Sequence, residues 1–65
     1  MKGTVKKLIR ERGFGFIETE DGKDIFFHRS CLINTGFESL NEGGSVEFEM
    51  EKSHKGLRAI NIKVV

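Results

Sequence analysis

Arg12-Gly13-Phe14-Gly15-Phe16-Ile17-Glu18-Thr19-Glu20-Asp21-Gly22-Lys23-Asp24-Ile25-Phe26-Phe27-His28 is the stretch whose reading decides how this chain folds. Asp21-Gly22 is a strong turn signal, because both residue types tolerate the backbone of a tight hairpin. The runs on either side, Phe14 to Thr19 and Asp24 to His28, read as the two strands of that hairpin. Side chains two apart share a side of a strand. Phe14 and Phe16 therefore lie opposite Gly15 and Ile17, and Phe26 and His28 lie opposite Ile25 and Phe27. If the core takes Ile17, Ile25 and Phe27, then Phe14, Phe16, Phe26 and His28 stand on the outside as one patch. The reverse division exposes Ile17, Ile25 and Phe27 and buries a titratable ring, which is the poorer partition of apolar surface. An outer cluster of phenylalanines costs solubility and marks a binding surface.

Working outward, spacing-two alternation recurs toward the end of the chain. Val46, Phe48 and Met50 alternate with Glu47, Glu49 and Glu51, and Ile60, Ile62 and Val64 alternate with Asn61 and Lys63, so both segments read as half-buried strands. The polar stretch Lys52-Ser53-His54-Lys55-Gly56 connects them as a hairpin loop. Strands are expected near residues 2–10, 14–19, 24–28, 45–52 and 57–64. One helical turn is expected over Ser30-Cys31-Leu32-Ile33, and Asn34 to Gly44 reads as a long loop. Short strands that each hide one face do so by closing on themselves, which predicts an all-β fold: a small five-stranded antiparallel barrel. Residues 1–65 are expected to form one domain.

A chain of 65 residues buries only about 60% of its unfolded surface, which excludes large enzymes. Its composition, 37% hydrophobic and 32% charged with the signs mixed, is that of a folded domain rather than a disordered one. No apolar run reaches the roughly 18 residues of a membrane span, and no signal segment follows Met1, so a cytoplasmic location is expected. The single Cys31 cannot form an internal disulfide; it reads as a small buried residue in the turn after the third strand. The net charge of +1 divides into +4 over residues 1–16, −2 over 17–35, −5 over 36–51 and +4 from residue 52 onward. If the two basic ends meet in space, one face is positive and suits an anionic partner.

Two misleading patterns fall away. His28 and Cys31 lie three apart, but structural zinc needs four ligands and the only soft or borderline donors are Cys31, His28 and His54. A thiolate nucleophile needs a base inside a cleft, whereas His28 is expected on an open face. No catalytic residue, cofactor, metal or small-molecule substrate is expected. Gly13 and Gly15 precede no helical pattern, so they form no nucleotide-phosphate loop. Glu47, Glu49 and Glu51 read as the solvated side of a strand.

Exposed aromatic rings among lysines and arginines have a specific chemistry. Rings stack on unpaired bases for about 1–3 kcal/mol each, and the cations neutralise the adjoining phosphates. Lys2-Gly3-Thr4-Val5-Lys6, Arg12-Gly13-Phe14-Gly15-Phe16-Ile17, Asp24-Ile25-Phe26-Phe27-His28 and Gly36-Phe37, in that order, resemble the cold-shock domain family over essentially the whole chain. The second and third of these segments resemble that family's two ribonucleoprotein motifs. The resemblance implies a five-stranded antiparallel barrel of the oligonucleotide/oligosaccharide-binding (OB) type that binds single-stranded RNA or DNA, with a tilt toward pyrimidine-rich strands, and that serves as an RNA chaperone or a regulator of transcription or translation. It also implies that Phe14, Phe16, Phe26, His28 and Phe37 stack on bases, while Lys6, Arg12, Asp24, Lys55 and Arg58 make polar or phosphate contacts. A monomer is expected.

The chain departs from the family's usual pattern at five positions. Lys7 stands in place of a stacking tryptophan, Leu8 of phenylalanine, Ile9 of asparagine, Arg29 of a further phenylalanine and Glu38 of lysine. Lys7 and Arg29 are counted with the binding residues, so stacking is traded for charge, and weaker binding with a steeper salt dependence is expected. The competing expectation is a barrel that has lost nucleic-acid binding and docks a protein on the same apolar face.

Overall fold

The hairpin built on Asp21-Gly22 follows the register set by that turn. In the computed structural model, which describes residues 1–33 and 35–65, β2 (Phe14–Thr19) pairs antiparallel with β3 (Asp24–His28). Phe14 lies opposite His28, Phe16 opposite Phe26 and Ile17 opposite Ile25. Gly22 supplies the positive φ, 85°, that closes the turn. The hydroxyl of Thr19 donates to the Asp21 carboxylate, and this bond holds that carboxyl below its usual range.

β1 (Lys2–Ile9) pairs antiparallel with β2, and its first residues also pair with β4 (Ser45–Ser53). β5 (Gly56–Val64) is antiparallel to β4 and meets β3, closing the barrel in the order β1-β2-β3-β5-β4. The expected antiparallel pairing holds at four of the five seams; the β3–β5 seam is parallel, through Phe26 and Arg58. A closed ring with an odd number of strands cannot alternate direction throughout, so one parallel neighbour is unavoidable.

The core comprises Val5, Ile17, Ile25, Phe27, Leu40, Val46, Phe48, Ala59 and Ile62. Ile17, Ile25 and Phe27 are inward as the alternation requires. At the last strand the simple alternation fails. Ala59 and Ile62 are both buried, whereas Val64 is 44% exposed and Ile60 only half-buried. Asn61, with φ of 50°, inserts an extra residue into β5 between the pairs Glu47–Lys63 and Glu49–Ile60, which flips the facing of everything before it. Met50, opposite Ala59, is 38% exposed toward the hairpin end rather than part of the core.

The long connection is less irregular than its composition suggests. A 3-10 turn covers Arg29–Cys31, one residue earlier than the expected helical turn, and a second covers Phe37–Ser39. Cys31 is half-buried against the core rather than fully enclosed. Asn34 lies outside the described residues. Leu40 seals the barrel, and the segment beyond it covers the free edge of β1: Val5 donates to Gly44 O at 2.9 Å, Gly43 donates to Val5 O at 2.7 Å, and Leu8 donates to a Glu42 carboxylate oxygen at 3.0 Å. Covering that edge prevents pairing with another chain. No helix among the described residues is long and apolar enough to cross a membrane.

Gly15 is the tightest point of the sheet. A Cβ there would collide with the Lys7 carbonyl oxygen and stand 2.9 Å from Phe27 Cε1. Gly15→Ala is expected to lower stability by about 1–3 kcal/mol, because neither a backbone carbonyl nor a fully buried ring can give way. A urea titration followed by far-ultraviolet circular dichroism reads this directly; an unchanged midpoint would contradict the packing.

Candidate nucleic-acid interface

Cross-strand partners share a face, so the registers place each outward side chain without ambiguity. One row runs Ile9, Phe14, His28 across β1, β2 and β3. The next runs Lys7, Phe16, Phe26, Arg58 and Glu51 across all five strands. A third carries Thr4, Glu18 and Asp24. The register shift between Val5 and Lys7 is a bulge that turns both Lys6 and Lys7 outward, because an extra residue in one strand breaks the in–out alternation.

Phe14, Phe16 and Phe26 form one cluster, with ring centroids 5.4 Å apart for Phe14–Phe26, 6.1 Å for Phe16–Phe26 and 6.3 Å for Phe14–Phe16. None of the three pairs is stacked in parallel: the planes meet at 41°, 70° and 90°. Phe26 is 38% exposed although its strand neighbour Phe27 is fully buried. His28 continues the cluster. Its Nδ1 accepts the Ser30 backbone N–H at 3.2 Å, so the neutral ring carries its proton on Nε2.

Phe37 stands apart from the trio. It lies in the second 3-10 turn, half-buried, with its centroid 6.2 Å from that of Phe27. Arg12 is exposed in the β1–β2 turn, where its N–H donates to Ile9 O at 3.2 Å, and Arg29 is exposed in the first 3-10 turn. Lys55 sits at the β4–β5 hairpin tip. Together with Phe26, His28, His54, Leu57 and Arg58 it lines a cleft of about 600 Å³. His54 and Leu57 stand in no local sequence pattern that distinguishes them from an ordinary loop; the fold brings them beside Phe26 and Arg58.

The cations are not equivalent. Lys6 Nζ sits 3.2 Å from Asp24 Oδ1, and Arg58 donates through Nε at 3.0 Å and Nη2 at 2.6 Å to Glu51 Oε1. Those bonds raise the Arg58 pKa above its ordinary value. Among the described residues, Lys7, Arg12, Arg29 and Lys55 have no carboxylate partner. Counting the register back from the loop brings Glu51 opposite Arg58, a pairing legible only once the hairpin turn is placed.

A closed five-stranded barrel presenting rings and unpaired cations on one outer face defines an oligonucleotide-binding type of protein. More narrowly, this chain belongs to the cold-shock DNA-binding domain family, whose family model matches residues 1–65. It is 48% identical over 61 residues to the major cold shock protein of Streptococcus pyogenes, covering 94% of this chain and 91% of that one. To the cold shock protein CspC of Bacillus subtilis it is 47% identical over 62 residues, covering 95% and 94%. Among solved structures it superposes on the Drosophila Unr fragment CSD456 with a TM-score of 0.76 at 30% identity. That superposition covers 98% of this chain but 26% of the Unr chain.

Proposed function

We propose that this protein binds single-stranded RNA or DNA along the outer face of β1, β2, β3 and β5, and that it acts as an RNA chaperone or regulator of transcription or translation. The observation that carries this reading is the row Lys7–Phe16–Phe26–Arg58 beside Phe14 and His28. It sets ring faces between cations, as a chain of alternating bases and phosphates requires. Phe14, Phe16, Phe26 and His28 take bases, and Phe37 takes one at the margin. Lys7, Arg12 and Lys55 face phosphates, Arg29 contacts the strand beside His28, and Lys6, Asp24 and Arg58 make hydrogen bonds at the edges of the path.

The mechanism is mass action. A protein that binds the open strand and not the duplex shifts base pairing toward the open strand by its differential affinity, and no covalent bond changes. The stacking surface is sequence-tolerant, with a tilt toward pyrimidines. Residues 1–65 act as one domain, as a monomer, in the cytoplasm where such strands are met.

The test is fluorescence anisotropy of a labelled thymidine heptamer and of a matched duplex. Binding of the single strand and not the duplex is expected; failure to bind the heptamer at low salt would overturn the reading and leave a protein-docking barrel. The charge inventory makes a separate prediction. Each phosphate contact contributes about 0.7 to the slope of log affinity against log salt on a single strand. Lys7→Ala is expected to reduce the slope by about that amount, whereas Lys6→Ala, which removes an already paired ammonium, reduces it by less. Equal changes in the two variants would contradict the distinction between free and paired cations.

A further inference from the structure

The chain leaving β3 sets a second kind of reader beside the aromatic cluster. Arg29 directly follows His28, and its backbone N–H donates to Gly13 O at 2.8 Å. Gly13 has φ of 73°, a left-handed conformation that favours glycine. The space left by its missing side chain is filled by the Arg29 stem: a Cβ on Gly13 would stand 2.9 Å from Arg29 Cδ and 3.2 Å from Nε. The side chain is thus held against the β1–β2 turn as far as Nε.

The end of that side chain is unsatisfied. Arg58 gives its guanidinium to Glu51, and Arg10 donates through Nη2 to Leu40 O at 2.8 Å. Among the described residues, the Arg29 guanidinium has no carboxylate, carbonyl or hydroxyl partner. It is exposed one residue beyond His28, where the chain leaves β3 beside Gly13. A planar fork of N–H donors, with its stem already positioned, loses less conformational freedom on meeting a ligand than a free lysine would.

Such a fork has a complement among the bases. Guanine offers O6 and N7, two acceptors side by side, to two parallel N–H donors, whereas adenine offers N7 beside an amino donor that opposes the second one. Thymine offers no such pair, and cytosine offers none on that edge, although an unpaired cytosine sets O2 beside N3 on its Watson–Crick edge and is therefore guanine's competitor for the fork. We infer that Arg29 is a specificity-determining residue that reads guanine at the nucleotide next to the one stacked on His28, inside an otherwise sequence-tolerant site. The inference rests on the single-strand reading of this face.

Thymidine heptamers carrying one guanine, adenine, cytosine or 7-deazaguanine at each position in turn test it, and cytosine bound as tightly as guanine at the selective position overturns it. At one position guanine is expected to bind about tenfold tighter than adenine. 7-Deazaguanine, which lacks the N7 acceptor, is expected to fall to the level of adenine. Arg29→Lys keeps the charge and loses the fork, so the guanine-to-adenine ratio goes to about one whatever happens to the overall affinity. Equal binding of guanine and adenine at every position, or a preference that survives Arg29→Lys, overturns the inference while the plain heptamer still binds. Failure of the plain heptamer to bind overturns the single-strand reading itself.

Discussion

Replacing Phe14 and Phe26 together by alanine is expected to weaken binding of a thymidine heptamer by at least about thirtyfold, since each lost stacking platform costs about 1–3 kcal/mol. Both rings lie on the outer face, 5.4 Å apart, and neither belongs to the core. What the fold loses is the cluster's three ring contacts, Phe14–Phe26, Phe14–Phe16 and Phe16–Phe26, each worth about 0.5–1.5 kcal/mol. For a domain of this size each kcal/mol lowers Tm by roughly 4–8 °C, while the buried core that makes the melt cooperative is untouched. Anisotropy and a circular-dichroism melt on the same sample separate the two effects. Undiminished binding by the doubly substituted protein would remove the stacking face from the mechanism.

Phe27→Ala is expected to do the opposite, although Phe27 is the next residue to Phe26. Its ring is fully buried and contacts the backbone niche at Gly15 and the ring of Phe37. Truncating a buried phenylalanine costs about 3–5 kcal/mol. The entire margin of a single small core is of the same size, about 3–5 kcal/mol. The variant is therefore expected to be largely unfolded at 25 °C, with no sigmoidal urea transition. A cooperative transition within about 1 kcal/mol of the native chain would contradict the placement of Phe27 at the centre of the barrel.

The contrast between these neighbours was legible in the sequence, and for a local reason. The Asp21-Gly22 turn sets the hairpin register, and the period of two then decides which of Phe26 and Phe27 faces inward. The same logic placed Ile17 and Ile25 inside and Phe14, Phe16 and His28 outside. It failed where an extra residue interrupts the ladder. Lys6 and Lys7 both point outward across a bulge in β1, and Ala59 and Ile62 both point inward across the bulge at Asn61. Nothing in the order Ile60, Asn61, Ile62 announces that shift, which lies opposite Phe48 on the neighbouring strand.

The long connection follows the same division. Leu40 enters the core and Glu42 caps the Leu8 N–H, 34 positions away, through contacts that no short window of sequence contains. Phe37, grouped with the stacking rings by family resemblance, is committed in part to Phe27.

The two hairpins, the inward and outward sets on β2 and β3, and the aromatic surface they create follow from local sequence, because alternation and turn chemistry act over a few residues. Which cations on that surface are free depends on contacts between distant parts of the chain. Lys6 on β1 reaches over β2 to meet Asp24 on β3, and Arg58 on β5 meets Glu51 on the adjoining β4, while Lys7 and Arg29 are left without carboxylate partners. Such pairings depend on register, bulges and the parallel seam that closes a ring of five strands. Those are properties of the closed barrel, in which every strand's position is set by both of its neighbours.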